Sequence, residues 1–140
     1  MAQEGNANVA AQSSDPTVFN PSSGEAGASS VNIQLVFDAS GSMAEDIGGE
    51  TKIDAARRAM KQVIGTLPAD NPRLNVGFRV FGHKGDNTDA GKAESCQSTE
   101  LLVPINGVNA DLLRQQVDLY APTGWTPISL ALQNAGEDMQ

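Results

Sequence analysis

The stretch Val31-Asn32-Ile33-Gln34-Leu35-Val36-Phe37-Asp38-Ala39-Ser40-Gly41-Ser42-Met43 decides how this chain is read. Its first seven residues are β-rich and grow more apolar towards Phe37, the pattern of a strand buried at the centre of a sheet. The strand stops at Asp38 in a turn of small residues, where Gly41 permits a tight backbone path. In open α/β sheets, ligands bind beyond the carboxyl ends of the strands, and Asp38, Ser40 and Ser42 stand at such an end. One carboxylate and two hydroxyls are hard oxygen donors, suited to Mg²⁺, Mn²⁺ or Ca²⁺ and not to a thiolate-seeking metal. Hydroxyls are weak ligands, so an ion held by them keeps positive charge that an incoming carboxylate would neutralise. A Ser-rich turn can equally cap backbone groups. The turn alone leaves both readings open.

Downstream, the pattern is that of an open α/β sheet covered on both faces. Residues Ala44 to Glu50 read as a loop, and Thr51 precedes a helical period in which Ile53, Ala56, Met60, Val63, Ile64 and Leu67 share one face. Pro68 and Asn71-Pro72 end that helix. Leu74, Val76, Phe78 and Val80 alternate with Asn75, Gly77 and Arg79, a strand reaching Phe81. Gly82 to Ser98 is polar and glycine-containing, and is expected to be an exposed loop. Glu100 to Pro104 is a short strand that a loop, not a helix, joins to its predecessor, so it is expected to pair antiparallel at a sheet edge. Asn109 can cap a helix running to about Tyr120, with Leu112, Leu113, Val117 and Leu119 apolar. The turn Pro122-Thr123-Gly124-Trp125-Thr126-Pro127 leads into a last helix, with Pro127 at its first position and Ile128, Ala131, Leu132 and Ala135 as the buried stripe.

Composition bounds the rest. The 140 residues allow one domain at most. Residues 1–30 lack Lys and Arg and, apart from Met1, hold only Val9, Val18 and Phe19 as sizeable apolar side chains. They are expected to form a disordered tether. A net charge of −8 disfavours nucleic acid as a partner and adsorption to anionic lipid. No run of 18 or more apolar residues is present, so a membrane span is not expected. The first residues show neither the basic nor the apolar region of a signal peptide. The single cysteine, Cys96, has no partner within the sequence.

The segment Phe37 to Met43, placed after an apolar strand, closely resembles the metal-ion-dependent adhesion site (MIDAS) motif of von Willebrand factor A (vWA) domains. The second element of that family is a threonine opening a helix from a later loop. Gly124-Trp125-Thr126-Pro127-Ile128, followed by Ala131-Leu132, is similar to the Gly-x-Thr-Pro-Leu pattern of its bacterial members. The helix from Lys52, the strand end Phe81-Gly82-His83 and the loop bearing Cys96 are similar as well. The resemblance covers residues 31–140. It implies an open, doubly wound, mostly parallel sheet with one antiparallel edge strand. It also implies a Mg²⁺ (or Mn²⁺ or Ca²⁺) held directly by Ser40, Ser42 and Thr126 and mainly through water by Asp38.

The function so implied is non-enzymatic: recognition of a Glu or Asp carboxylate on a partner protein, with Trp125 and Met43 as candidate ligand contacts. The family completes its metal site with an aspartate on a strand that would follow Gln140. Residues 31–140 therefore resemble the N-terminal part of a truncated domain, expected to bind metal weakly and to be poorly stable by itself. Secreted bacterial relatives suggest a disulfide from Cys96 to a later cysteine, and with it an extracytoplasmic home; a free surface thiol is the alternative.

The same residues admit other functions. A vWA module serving an intracellular AAA-ATPase or chelatase assembly would use the same site to grip a partner subunit. A serine hydrolase built on Ser40 or Ser42 with His83 lacks the G-x-S-x-G elbow, and His83 is expected at the surface of a loop. Lys84-Gly85-Asp86 resembles short integrin-recognised tripeptides, but turn chemistry explains its glycine and aspartate.

Overall fold

The structure is a computed structural model and describes residues 29–140. The expected tether, apart from its last two residues, lies outside the described residues. The elements run β1 (Val31–Asp38), a 3₁₀ turn (Gly41–Ala44), α1 (Lys52–Thr66), β2 (Leu74–Phe81), α2 (Lys92–Cys96), β3 (Thr99–Val103), α3 (Ala110–Leu119) and α4 (Ile128–Asp138).

Local chemistry sets most of these boundaries. At the start of α1 the Thr51 hydroxyl accepts from the Asp54 N–H at 3.3 Å and donates to the Asp54 carboxylate at 2.8 Å. This occupies an amide that has no partner within the helix. Asn109 does the same for α3, its side-chain oxygen accepting the Leu112 N–H at 3.0 Å. Pro68 follows directly on Leu67, the residue that caps the far end of α1.

The sheet has the order β1-β2-β3. β1 and β2 pair in parallel, from Val31 opposite Leu74 to Asp38 opposite Phe81, with α1 as the crossover. β3 runs antiparallel to β2 as expected, although the connection contains the short helix α2 and is not the plain loop from which that expectation was drawn. The described residues thus form a small α/β unit with a three-stranded mixed sheet and helices on both faces.

The two faces differ in chemistry. Phe37, Val76, Phe78 and Val80 pack with Ile53 and Ile64 of α1 and Leu113 and Val117 of α3 in one apolar core. With a strand period of two, Arg79 points the opposite way. There it meets α4 through two 2.7 Å bonds to the Asp138 carboxylate. Ala131 and Ala135 are the buried residues of α4.

The structure corrects three expectations. Residues 82–98 are not simply an exposed loop, because they contain α2 and bury Gly82 and Ser95. Ile128 and Leu132 do not complete a buried stripe; they are 51% and 58% exposed. Two small alanines bring α4 onto the sheet, which leaves the larger side chains flanking the contact outside. Val63 and Leu119 are also exposed, at the outer margins of the stripes of α1 and α3.

Candidate metal site at the carboxyl end of the sheet

β1 delivers Asp38 half-buried at its last position, and the chain then turns through Ala39 and Ser40, both buried. The Asp38 carboxylate accepts the Ser40 N–H at 2.8 Å, folding the turn back on the strand end. The Ser40 and Ser42 hydroxyl oxygens lie 3.4 Å apart. Ser40 is sealed from solvent while Ser42 is exposed. Met43 packs, half-buried, against the α1/α3 core.

The second loop is fastened to this turn by its backbone. The Gly41 N–H donates to the Gly124 carbonyl at 2.7 Å, and Ser40 and Gly124 form an isolated parallel bridge. Thr123 donates its N–H to the Ala39 carbonyl at 2.9 Å, and Gly124 donates to Gly82 at 2.8 Å. Three chain segments therefore meet after β1, after β2 and before α4. Gly82 makes this crossing possible: its φ is +72°, and a Cβ there would stand 2.6 Å from the Ser40 nitrogen and 2.9 Å from the Trp125 carbonyl oxygen. Thr126 follows two residues after Gly124 and is exposed at the start of α4. The two sequence elements singled out above, nearly ninety positions apart, thus converge.

The Trp125 ring lies against the segment before α2. Its indole N–H donates to the Thr88 carbonyl at 3.0 Å, and the Lys92 ammonium stands 4.3 Å from the ring centroid. Lys84-Gly85-Asp86 is a turn, as its composition suggests: Gly85 has φ +68°, and Asp86 accepts from the Thr88 N–H at 2.9 Å. Asp86 lies below its ordinary pKa, chiefly because the Thr88 hydroxyl and then the Thr88 amide donate to it.

His83 departs from expectation. Its side chain is 4% exposed, Nε2 lies 2.6 Å from the Glu100 carboxylate, and the ring stands edge-on to Tyr120 at 5.4 Å. Nδ1 is buried without a partner among the described residues. Glu100 also meets the Lys84 ammonium at 3.3 Å. Its carboxyl is held below the usual glutamate value first by the His83 hydrogen bond, against burial and with help from Lys84. Burial pushes the Tyr120 phenol up. No hydrogen bond among the described residues joins His83 to Ser40 or Ser42.

Among the described residues no group of three or more His, Cys, Asp or Glu side chains is placed to hold a metal. A site here would therefore rest on hydroxyls. Adjacent ligands of an octahedral ion stand about 2.9 Å apart for Mg²⁺ and about 3.4 Å apart for Ca²⁺, from their metal–oxygen distances. The 3.4 Å separation of the Ser40 and Ser42 oxygens matches two neighbouring ligands of an ion of Ca²⁺ size, and a closure of about 0.5 Å would suit it to Mg²⁺.

Sequence reasoning missed Ser95 and Gly82. Gly82 carried a weak signal as a glycine directly after a strand. Ser95 carried none, because its burial depends on a helix of five residues embedded in a polar segment.

No family model matches the chain. Among curated proteins it is 36% identical over 124 residues to the uncharacterized protein YwmD of Bacillus subtilis (strain 168), covering 89% of this chain and 54% of that protein. It is 34% identical over 104 residues to YwmC of the same organism, covering 74% of this chain and 44% of that protein. The chain spans about half the length of the curated relatives it matches.

Two solved structures share the fold. One is an uncharacterized membrane spanning protein from Vibrio fischeri, with TM-score 0.55, 23% identity and coverage of 78% of this chain and 49% of the other. The other is the conserved hypothetical protein BatB from Bacteroides thetaiotaomicron, with TM-score 0.55, 22% identity and coverage of 79% and 46%. At these identities the likeness is one of fold, and it agrees with the mixed α/β sheet described above.

Proposed function

We propose that this chain is part of a vWA-type module that binds a partner protein through a divalent ion held by Ser40, Ser42 and Thr126, with Asp38 in an outer-shell role. The observation that carries the proposal is the convergence of the two loops: paired hydroxyls 3.4 Å apart on one, and the Thr126 loop bonded through Gly124 to Gly41. Mg²⁺ is the ion that the family resemblance implies first, with Mn²⁺ and Ca²⁺ as alternatives; all three suit hard oxygen donors, and the hydroxyl spacing is nearest to that of Ca²⁺. When bound, the ion would supply Lewis acidity at a site with little ligand charge.

The chain's own residues do the rest. Ser40 and Ser42 present oxygens from a turn that Gly124 braces, and Asp38 contributes the one carboxylate. A site so poor in negative charge favours an acidic ligand, so the partner offers a Glu or Asp side chain. In this reading the protein is not an enzyme and works outside the cytoplasm. The sheet is the first part of a doubly wound, mostly parallel one.

The test is Mn²⁺ binding followed by electron paramagnetic resonance, in wild type and in Ser42→Ala and Thr126→Ala. Weak, saturable binding that Mg²⁺ competes away and both substitutions reduce is expected. Binding unchanged in both variants refutes the assignment. Labelling with a serine-reactive fluorophosphonate tests the enzymatic alternative; modification of Ser40 or Ser42 would favour a hydrolase.

A further inference from the structure

Ser95, in α2, is fully buried, and its hydroxyl oxygen accepts the Trp125 N–H at 2.6 Å. The contact is close on both sides. A Cβ at Gly124 would stand 2.2 Å from that oxygen and 2.5 Å from the Lys84 carbonyl, so only glycine lets the loop press onto the hydroxyl. Ser95 is itself held from behind, since its N–H donates to the Gly91 carbonyl at 3.0 Å. The same carbonyl lies 2.7 Å from where a Gly85 Cβ would be. On the far side of the loop, Gly124 accepts from Gly41 and donates to Gly82. Trp125 alone separates this clamped glycine from Thr126.

We infer that Ser95 is a positioning residue for the metal site: through the Trp125 amide it fixes the Gly124–Thr126 segment against the Asp38–Ser42 turn. α2 and the turn leading into it then form a brace, and the Trp125 indole bond to Thr88 with Lys92 over its ring is the outer part of the same contact. A buried hydroxyl that accepts a backbone amide stiffens the loop that carries a ligand, as outer-shell groups do around metals. The inference rests on the metal reading proposed above and names a residue which that reading does not include.

The test uses the 140-residue chain and Ser95→Ala, which removes the acceptor and leaves the Trp125 amide without a partner. Two quantities are read on folded protein: Mn²⁺ affinity, and emission of Trp125, the single tryptophan. The expected result is Mn²⁺ binding weakened about tenfold, in the range seen for outer-shell substitutions, with Trp125 more readily quenched before any metal is added. A variant with a lowered melting temperature but unchanged Mn²⁺ affinity would show Ser95 to be merely structural and overturn the inference.

Amide exchange on wild-type protein keeps the test open should the variant not fold. The Trp125 amide should exchange as slowly as that of Gly41, and exchange as fast as at Gly48 and Gly49 overturns the inference. Wild type that binds no Mn²⁺ sinks the metal reading and this role with it. Wild type and variant that bind equally well sink only the role of Ser95.

Discussion

The Asp38–Ser42 turn leaves the end of β1 and runs into the 3₁₀ turn, whereas the Gly124–Thr126 loop leads into α4. The first is rooted in apolar packing, since Phe37 and Ala39 belong to the core formed with Val76, Phe78 and Val80. The second depends on α4, which touches the sheet through Ala131 and Ala135 and is tied at its far end by Asp138. That carboxylate takes two 2.7 Å bonds from Arg79, whose guanidinium also donates to the Thr99 hydroxyl at 3.1 Å. Side-chain exposures of 7% and 12% make this a buried pair. Apolar packing is non-directional and tolerates adjustment; a buried ion pair is directional and fails when one partner is lost. The two halves of the site should therefore respond differently to substitution.

The largest effects come from the two roots. Phe78→Ala should cost about 3–5 kcal/mol in urea unfolding, the usual range for a buried phenylalanine. Asp138→Ala should cost about as much, roughly 3–5 kcal/mol, because it leaves Arg79 charged and buried. The paired change Arg79→Met with Asp138→Leu should cost far less than Asp138→Ala alone. Equal losses for the single and the paired change would show that α4 is held by something other than the ion pair.

Thr126→Ala comes next in size. It should weaken Mn²⁺ binding at least tenfold, about 1.4 kcal/mol, and leave the metal-free melting temperature where it was, since Thr126 is exposed.

Gln34 lies on the α4 face opposite Gly77, and both atoms of its amide are buried without partners among the described residues. Gln34→Met should then raise stability by about 1 kcal/mol, relieving part of the cost of an unsatisfied amide. A loss of stability would mean that the amide is used.

The smallest effect is that of pH at Glu100. Its folded pKa lies below the ordinary 4.5 because of His83, so its contribution is fully present above that value. It is lost as pH falls through the lower, folded value. Glu100→Gln should flatten this acid limb slightly, and the carboxyl is exposed enough that solvent screens the effect.

The contrast between the halves also marks what the sequence could disclose. Strand, crossover helix and edge strand were readable because Leu74, Val76, Phe78 and Val80 alternate and Ile53 to Leu67 keep a helical period. Asn109 announced its cap through residue type, and Thr51 marked where the helical period of α1 begins. Asp38, Ser40, Ser42 and Thr126 were recognisable as two short motifs, and the backbone bond from Gly41 to Gly124 brings their loops together. What could not be read were contacts between positions far apart in sequence: Arg79 with Asp138, His83 with Glu100, Ser95 with Trp125. Each depends on where a loop or helix end arrives in space, which periodicity does not encode. Ile128 and Leu132 misled for a related reason, because apolar residues at helical spacing do not say how wide the buried stripe is.

The most direct measurement is a titration of the 140-residue chain with Mn²⁺, repeated with Ser40→Ala, Ser42→Ala and Thr126→Ala. The proposed site predicts one weak, saturable site, with a dissociation constant on the order of 10⁻⁴–10⁻³ M as in other weak hard-ion sites. Mg²⁺ should displace the ion, and each substitution should weaken it. No saturable binding by wild type, or binding that survives all three substitutions unchanged, would contradict the metal site.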